Sequence, residues 1–264
     1  MSVLEVRDLS VRYGTGRHAL TAVDRVNLRV AEGRVLGLVG ESGSGKSTVA
    51  RAIMGLVPPS GGTVEVAGRS LAGQGRRARE ERARDVQLIF QDPYSSLDPR
   101  MRIQQIIGES LHLRGRLPRA QARAEVARLL ELVNLESSFA DRLPRELSGG
   151  QRQRVAIARA LAVRPRLIIA DEITSALDVS VQALILNLMR DIQRREGLSM
   201  LFISHNLATV RYLSDEVGVM RRGEIVEIGP TEQIVERPAH PYTRGLLESV
   251  PVLRVPATRG AGLT

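Results

Sequence analysis

Among 38 basic residues this chain of 264 holds one lysine, and that lysine stands in Gly40-Glu41-Ser42-Gly43-Ser44-Gly45-Lys46-Ser47, the spacing G-x-x-x-x-G-K-[ST]. Given the abundance of each residue type here, a chance match is expected about once in a thousand chains of this length. The flanks supply the context such a loop needs. Val35–Val39 is an apolar run of strand length, and Thr48–Leu56 continues with Val49, Ala52, Ile53 and Leu56 at helical spacing. A strand, a glycine loop and a helix are therefore expected in that order. Glycines let successive backbone N–H groups turn inward around phosphate oxygens, and the helix start adds its positive dipole end. Lys46 can reach the β- and γ-phosphates as a compact point charge, and the Ser47 hydroxyl can ligate Mg2+. The predicted ligand is a nucleoside triphosphate with Mg2+, contacted by Gly40, Ser42, Gly43, Ser44, Gly45, Lys46, Ser47 and Thr48.

Composition narrows the remaining classes. With 43% hydrophobic and 25% charged residues the chain suits one sizeable globular domain or two small ones. No apolar run approaches the roughly 20 residues of a membrane-spanning helix, and the start, MSVLEVRDLS, is too charged for a secretory signal. A soluble or peripheral protein made in the cytosol is expected. Zero cysteines exclude disulfides and thiolate-held metal or iron–sulfur sites. The net charge of +9 would suit an anionic partner, yet the basic residues alternate with acids, as in Arg76–Arg84, RRAREERAR, which reads as a solvated face. Aromatics are 3% and tryptophan is absent, so no stacking platform for bases is visible and nucleic acid is not an expected partner.

Two further apolar strands end in polar residues: Leu167–Ala170 runs into Asp171-Glu172, and Met200–Ile203 into Ser204-His205. Between them Val181, Leu184, Ile185, Leu188 and Ile192 mark one face of a crossover helix, so a right-handed βαβ unit is expected. In open sheets of this kind ligands lie beyond the carboxyl ends of the strands, which brings Gly40, Asp171, Glu172 and His205 to one edge. Taken singly, an acidic pair is a loop or helix cap and a lone histidine is a satisfied surface or core residue. Downstream of a phosphate loop, Asp171 becomes a Walker-B-type acid for the magnesium shell, and Glu172 a carboxylate able to polarise an attacking water. Leu147-Ser148-Gly149-Gly150-Gln151 precedes the helical segment RQRVAIARALAV, in which Val155, Ala158, Leu161 and Ala162 share a face. Ser148 and Gln151 fit a capping box, so one reading is a well-capped helix. The other is a second anion site, because two glycines open a dipole-positive helix start.

LSGGQ, the phosphate loop, LIIADE, Ser175-Ala176-Leu177-Asp178 and His205 together resemble the ATP-binding cassette of ABC transporters, over roughly residues 3–240. The resemblance implies an α/β P-loop NTPase fold with a mostly parallel core sheet, an antiparallel β subdomain and an α-helical insertion at about 92–162. It also implies two cassettes paired head to tail, identical or paralogous, with each ATP between the phosphate loop of one and the Ser148, Gly149, Gly150 and Gln151 of the other. Further roles carried over are adenine stacking for Tyr13, magnesium and water contact plus linkage to the membrane partner for Gln91, cross-dimer communication for Asp178, and γ-phosphate contact for His205. Gln91–Pro99, QDPYSSLDP, and Arg237–Leu247, RPAHPYTRGLL, are similar to the oligopeptide, dipeptide and nickel importer ATPases. That implies a peripheral subunit on the cytoplasmic face of the membrane, two integral permeases and, indirectly, a solute-binding protein. For HPYT a proline-stiffened linker is the plainer reading. Cassette ATPases of DNA repair or translation are the competing class; their coiled-coil insertions, zinc modules or doubled cassettes are not found here. Ile173 stands where many cassettes have proline, which should relax the turn. Val217–Met220 and Glu224–Ile228 flank Arg221-Arg222-Gly223 as a hairpin, and residues 238–264, rich in proline and glycine, form a tail whose order is left open.

Overall fold

The computed structural model of the chain describes residues 1–14, 19–71, 75–92 and 96–248. Its strands are β1 (Ser2–Tyr13), β2 (Leu20–Ala31), β3 (Val35–Val39), β4 (Gly61–Val66), β5 (Arg69–Ser70), β6 (Val86–Ile89), β7 (Leu167–Asp171), β8 (Ser199–Ser204), β9 (Glu216–Arg221) and β10 (Glu224–Pro230). Its helices are α1 (Lys46–Ile53), α2 (Arg76–Asp85), α3 (Ile103–His112), α4 (Arg119–Leu132), α5 (Gly149–Ala162), α6 (Val179–Glu196), α7 (Leu207–Leu213), α8 (Thr231–Glu236) and α9 (Pro241–Glu248).

A six-stranded sheet, ordered β10-β9-β3-β8-β7-β6, forms the centre, and every neighbouring pair in it is parallel except the β9–β10 hairpin. The apolar runs read from the sequence are strands sealed on both faces, so successive residues feed two different cores. Val35, Val39, Ile168, Ala170, Met200 and Phe202 enter one core, which continues among Ile103, Ile107, Leu129, Leu130, Val155 and Ile157 of the helical insertion. Leu36, Leu38, Leu167, Ile169, Leu201 and Ile203 enter the other, which α1 and the antiparallel sheet β2-β1-β4-β5 close with Val49, Ile53, Leu4, Leu9 and Val26. Gly37 lies in β3 because α7 presses on it: a Cβ there would stand 2.1 Å from a Val210 methyl.

Several expectations need adjusting. α1 stops at Ile53 and Gly55 turns left-handed at φ +67°, which leaves Leu56 beyond the helix and exposed. Leu184 also faces solvent, while Ile185, Leu188 and Ile192 hold the buried face of α6. The beginning of the tail is a helix, α9, whose Thr243 is fully buried; residues 249–264 lie outside the described residues. α2 behaves as read: Arg76–Glu80 and Arg77–Glu81 pair at i,i+4 on an exposed face, and of its residues Arg82 is buried.

One carboxylate ties the helical insertion together. Glu125 of α4 accepts from Arg128 at 3.0 and 3.1 Å, from Arg114 beyond α3 at 3.0 Å, and from Arg164 beyond α5 at 3.3 Å. The Arg128 hydrogen bonds, joined by those of Arg114 and the charge of Arg164, push its pKa down from 4.5 to about 2. A depressed folded-state pKa adds stability that is complete above the unfolded value and disappears as pH falls through the folded one. Glu125→Gln is therefore expected to cost about 2 kcal/mol at pH 7, allowing for the part-exposed arginines, with the gap to wild type shrinking below about pH 4.5. Urea unfolding across that pH range measures it; a gap independent of pH would show that the carboxylate is not the source.

Candidate active site

The phosphate-loop segment leaves β3 and is packed from behind by the β9–β10 hairpin. A Cβ on Gly40 would lie 2.1 Å from the Met220 carbonyl oxygen, and one on Gly45, at φ +109°, would lie 2.4 Å from that of Ala22. The Gly223 amide donates to the Ser44 carbonyl at 2.9 Å, and the Asp24 amide to the Gly223 carbonyl at 2.8 Å. Glu41, Ser42 and Gly43 remain exposed. Lys46 is buried, and its Nζ donates to the Gly40 and Glu41 carbonyls, both at 2.8 Å, and to Ser44 Oγ at 3.3 Å. Burial pushes its pKa down, while the charges of Glu172 and Asp171 pull it back up. An ammonium stripped of water and held by neutral oxygens is poised for anionic ones.

Parallel pairing of β3 with β8 and of β8 with β7 puts three strand ends at one edge. Ser47 Oγ, in the first turn of α1, donates to Asp171 Oδ1 at 3.1 Å. Burial raises the Asp171 pKa, and the Ser47 hydrogen bond opposes that rise. Glu172 follows in a left-handed conformation at φ +48°, a strain of about 1–3 kcal/mol for a residue with a side chain. Neighbouring groups hold it there: its amide donates to the Ile203 carbonyl at 2.9 Å, and its carbonyl accepts the Ser175 hydroxyl at 2.9 Å. Ile173, the next residue, is buried in the core shared with the helical insertion. Glu172 Oε1 approaches His205 Nδ1 at 3.3 Å, and both line a cleft of about 70 Å³ with Thr174, Ser204, Asn206 and Thr209. Ser204 Oγ accepts from the Asn206 amide and Thr209 Oγ1, each at 3.0 Å, which fixes the turn carrying His205; the polar run Ser204-His205-Asn206 was its signal in the sequence.

Other expected residues occupy separate places. Gln91 is exposed, two residues past the pairing of Ile89 with Ala170, on the side of β7 away from β8; Pro93, Tyr94 and Ser95 of its motif lie outside the described residues. Tyr13 ends β1, exposed. Ser148 caps α5, its Oγ accepting from the Gln151 amide at 3.3 Å while Gln151 Oε1 accepts from the Ser148 amide at 2.9 Å. Asp178 caps α6, accepting from Ser180 Oγ at 2.6 Å and the Val181 amide at 3.0 Å, contacts that lower its pKa. Ser148, Gly149, Gly150 and Asp178 line a cleft of about 200 Å³ that shares no lining residue with the cleft of Glu172 and His205. The clasp between the tail and the phosphate-loop segment, through Tyr242, was not anticipated; nothing in periodicity or spacing marks a contact across 201 residues.

Comparison with known proteins agrees with this geometry. Residues 23–175 match the ABC transporter family model, and residues 226–263 match that of the oligopeptide/dipeptide transporter C-terminal region. The chain is 49% identical over 253 residues to a putative peptide import ATP-binding protein of Brucella abortus, covering 96% of this chain and 76% of that protein. It is 47% identical to the dipeptide transport ATP-binding protein DppF of Lactococcus lactis, over 94% of this chain and 81% of that one. With the oligopeptide transport ATP-binding protein OppF of Bacillus subtilis it shares 46%, over 95% and 83%. Among solved structures it is similar to the ATP-binding cassette MJ0796, seen as a dimer in a post-hydrolysis state with ADP and Pi, at a TM-score of 0.78 and 28% identity over 86% of this chain and 98% of that one. It is also similar to CbiO1 from Clostridium perfringens, part of an ABC transporter complex, at a TM-score of 0.80 and 26% identity over 89% and 91%.

The Ser47–Asp171 contact gives a test that needs no ligand. Donation to a carboxylate stabilises its charged form, so Ser47→Ala is expected to raise the Asp171 pKa further. Carboxyl NMR titration of the two proteins reads this directly; an unchanged midpoint would mean that the hydroxyl does not donate there in solution.

Proposed function

The chain belongs to the ABC transporter family, and we propose that it is the ATP-hydrolysing subunit of an importer whose cargo is a peptide. It is a nucleotide-binding ATPase, as the family match and the cassette neighbours show. A cassette of DNA repair or translation is not favoured, because the curated relatives above are import subunits. The observation that carries the reading is the gathering of Lys46, the Ser47–Asp171 contact and the Glu172–His205 pair at one sheet edge, in a chain that also carries a second, separate glycine-led helix start.

In this reading Lys46 and the amides of Gly43, Gly45, Ser47 and Thr48 hold the phosphates, with Gly40, Ser42 and Ser44 shaping the loop and Tyr13 stacking on the adenine. Ser47 and Asp171 are hard oxygen donors within hydrogen-bond reach of each other, a set that fits Mg2+, with Gln91 completing it. When bound, that ion neutralises phosphate charge. Glu172 orients the attacking water and accepts its proton, and His205 holds the γ-phosphate, so that ATP and water give ADP and phosphate. Because no covalent intermediate on the protein is involved, positioning and charge stabilisation supply the rate. Ser148, Gly149, Gly150 and Gln151 close over the nucleotide of a second cassette, self or paralogue, in a head-to-tail dimer, and Asp178 reports across that interface. The cassette spans 3–240, with 92–162 as its helical subdomain and 238–264 as its importer-type tail.

A cleft of about 630 Å³ on the helical subdomain, lined by Ala122, Val126 and Ala140 as well as Arg102, Arg123 and Asp141, suits a cytoplasmic segment of a permease that carries both apolar and polar side chains. Two such permeases and, indirectly, a solute-binding protein complete the assembly, with no role for nucleic acid. In this reading the chain attaches peripherally, at the cytoplasmic face, through its permeases; no helix among the described residues is long and apolar enough to cross a membrane.

Glu172→Gln is expected to lower ATP turnover about a hundredfold or more while ATP still binds. In that background ATP should produce dimers by light scattering, and adding Gly150→Asp should abolish them without removing nucleotide binding. Normal turnover in Glu172→Gln would sink the assigned base, and ATP-driven dimers that survive Gly150→Asp would sink the head-to-tail closure. Co-purification with two integral membrane proteins checks the transport assignment.

A further inference from the structure

The HPYT run of the tail has a defined shape. Glu227 of β10 accepts from the Ala239 amide at 2.8 Å and the His240 amide at 3.1 Å, which pins the chain as it turns back. His240 Nδ1 then accepts the Tyr242 amide at 3.1 Å, satisfying a free donor at the start of α9, and Pro241 occupies the first helical position, where no donor is needed. Thr243 is fully buried, so the helix cannot rotate freely. This arrangement aims the Tyr242 ring at the nucleotide site. Its hydroxyl accepts the Glu41 amide at 3.2 Å, and the Arg221 guanidinium at the end of β9 lies 4.9 Å from its ring centre. The peptide group it reaches adjoins another contact: the Glu41 carbonyl accepts Lys46 Nζ at 2.8 Å. One residue thus links the tail, on its amide side, to the phosphate-binding lysine, on its carbonyl side.

We propose that Tyr242 is a positioning residue for nucleotide binding, holding residue 41 so that the loop and Lys46 are preorganised for phosphate, and that the HPYT segment thereby sets the subunit's affinity for ATP. This rests on the reading of Lys46 as the phosphate-binding lysine. A loop fixed before its ligand arrives loses less freedom on binding. The hydroxyl, with the ring kept in place by Arg221, supplies that fixation from outside the phosphate face. The linker reading of HPYT gives no reason for a hydroxyl to reach the loop.

The test uses the full chain and Tyr242→Phe, which keeps the ring and removes only the hydroxyl. The ATP dissociation constant is expected to rise about three- to tenfold, the scale of one neutral hydrogen bond. The Michaelis constant for ATP should change more than the maximal rate, the melting temperature should stay within about 2 °C, and amide exchange should quicken at Glu41. Arg221→Met, which leaves the hydroxyl but frees the ring, should move affinity in the same direction by less. Wild-type ATP affinity in Tyr242→Phe would overturn the proposal, as would a lowered melting temperature with unchanged exchange at Glu41, the mark of a purely structural residue. A Lys46→Ala chain that binds ATP as tightly as wild type would remove the underlying reading instead, whatever Tyr242→Phe does.

Discussion

A strand sealed from water on both faces gives every residue along it to packing, and polar side chains are left only the positions where it stops. β3, β7 and β8 obey this closely: their apolar residues divide between two cores, and polar chemistry begins at Gly40, Asp171 and Ser204. Parallel pairing places those three stops side by side. The reactive edge is thus a by-product of how the sheet is buried, and no long loop is required to assemble it.

Charge at that edge is deliberately unbalanced by burial. Lys46 and Asp171 are both desolvated, and each is shifted toward its neutral form, while the field of each opposes the other's shift. Two charged groups held apart from water interact strongly with whatever enters between them. The surrounding backbone is fixed in advance: hairpin, β2 and tail all touch the loop, and Glu172 is kept in a strained conformation by β8.

Much of this was legible in the residues. The glycine spacing around Lys46 and the apolar runs ending in Asp171-Glu172 and Ser204-His205 are local patterns, and each corresponds to an element found where it was expected, whereas α5, read as having one apolar face, is buried on nearly every side from Val155 onward. What escaped depends on sequence-distant packing. Leu184 fits the apolar periodicity of α6 but faces solvent, because period alone does not say where a neighbouring element ends. Glu172 gives no sign of a positive φ, since the constraint comes from the Ile203 carbonyl. The helix of the tail hides behind proline and glycine, residues that argue for a loop until the Glu227 carboxylate and His240 ring are seen holding its start.

Gly150 has one consequence of its own. A methyl group there would stand 2.6 Å from a Val181 methyl, while one on Gly149 would lie 3.5 Å from Leu177, an ordinary contact, so it is at Gly150 that the start of α5 rests directly on α6. Only the short turn from Ile173 to Asp178 separates that joint from Glu172. The bare backbone at position 150 is what lets the two helix starts approach this closely, and any side chain placed there would have to push Val181 aside.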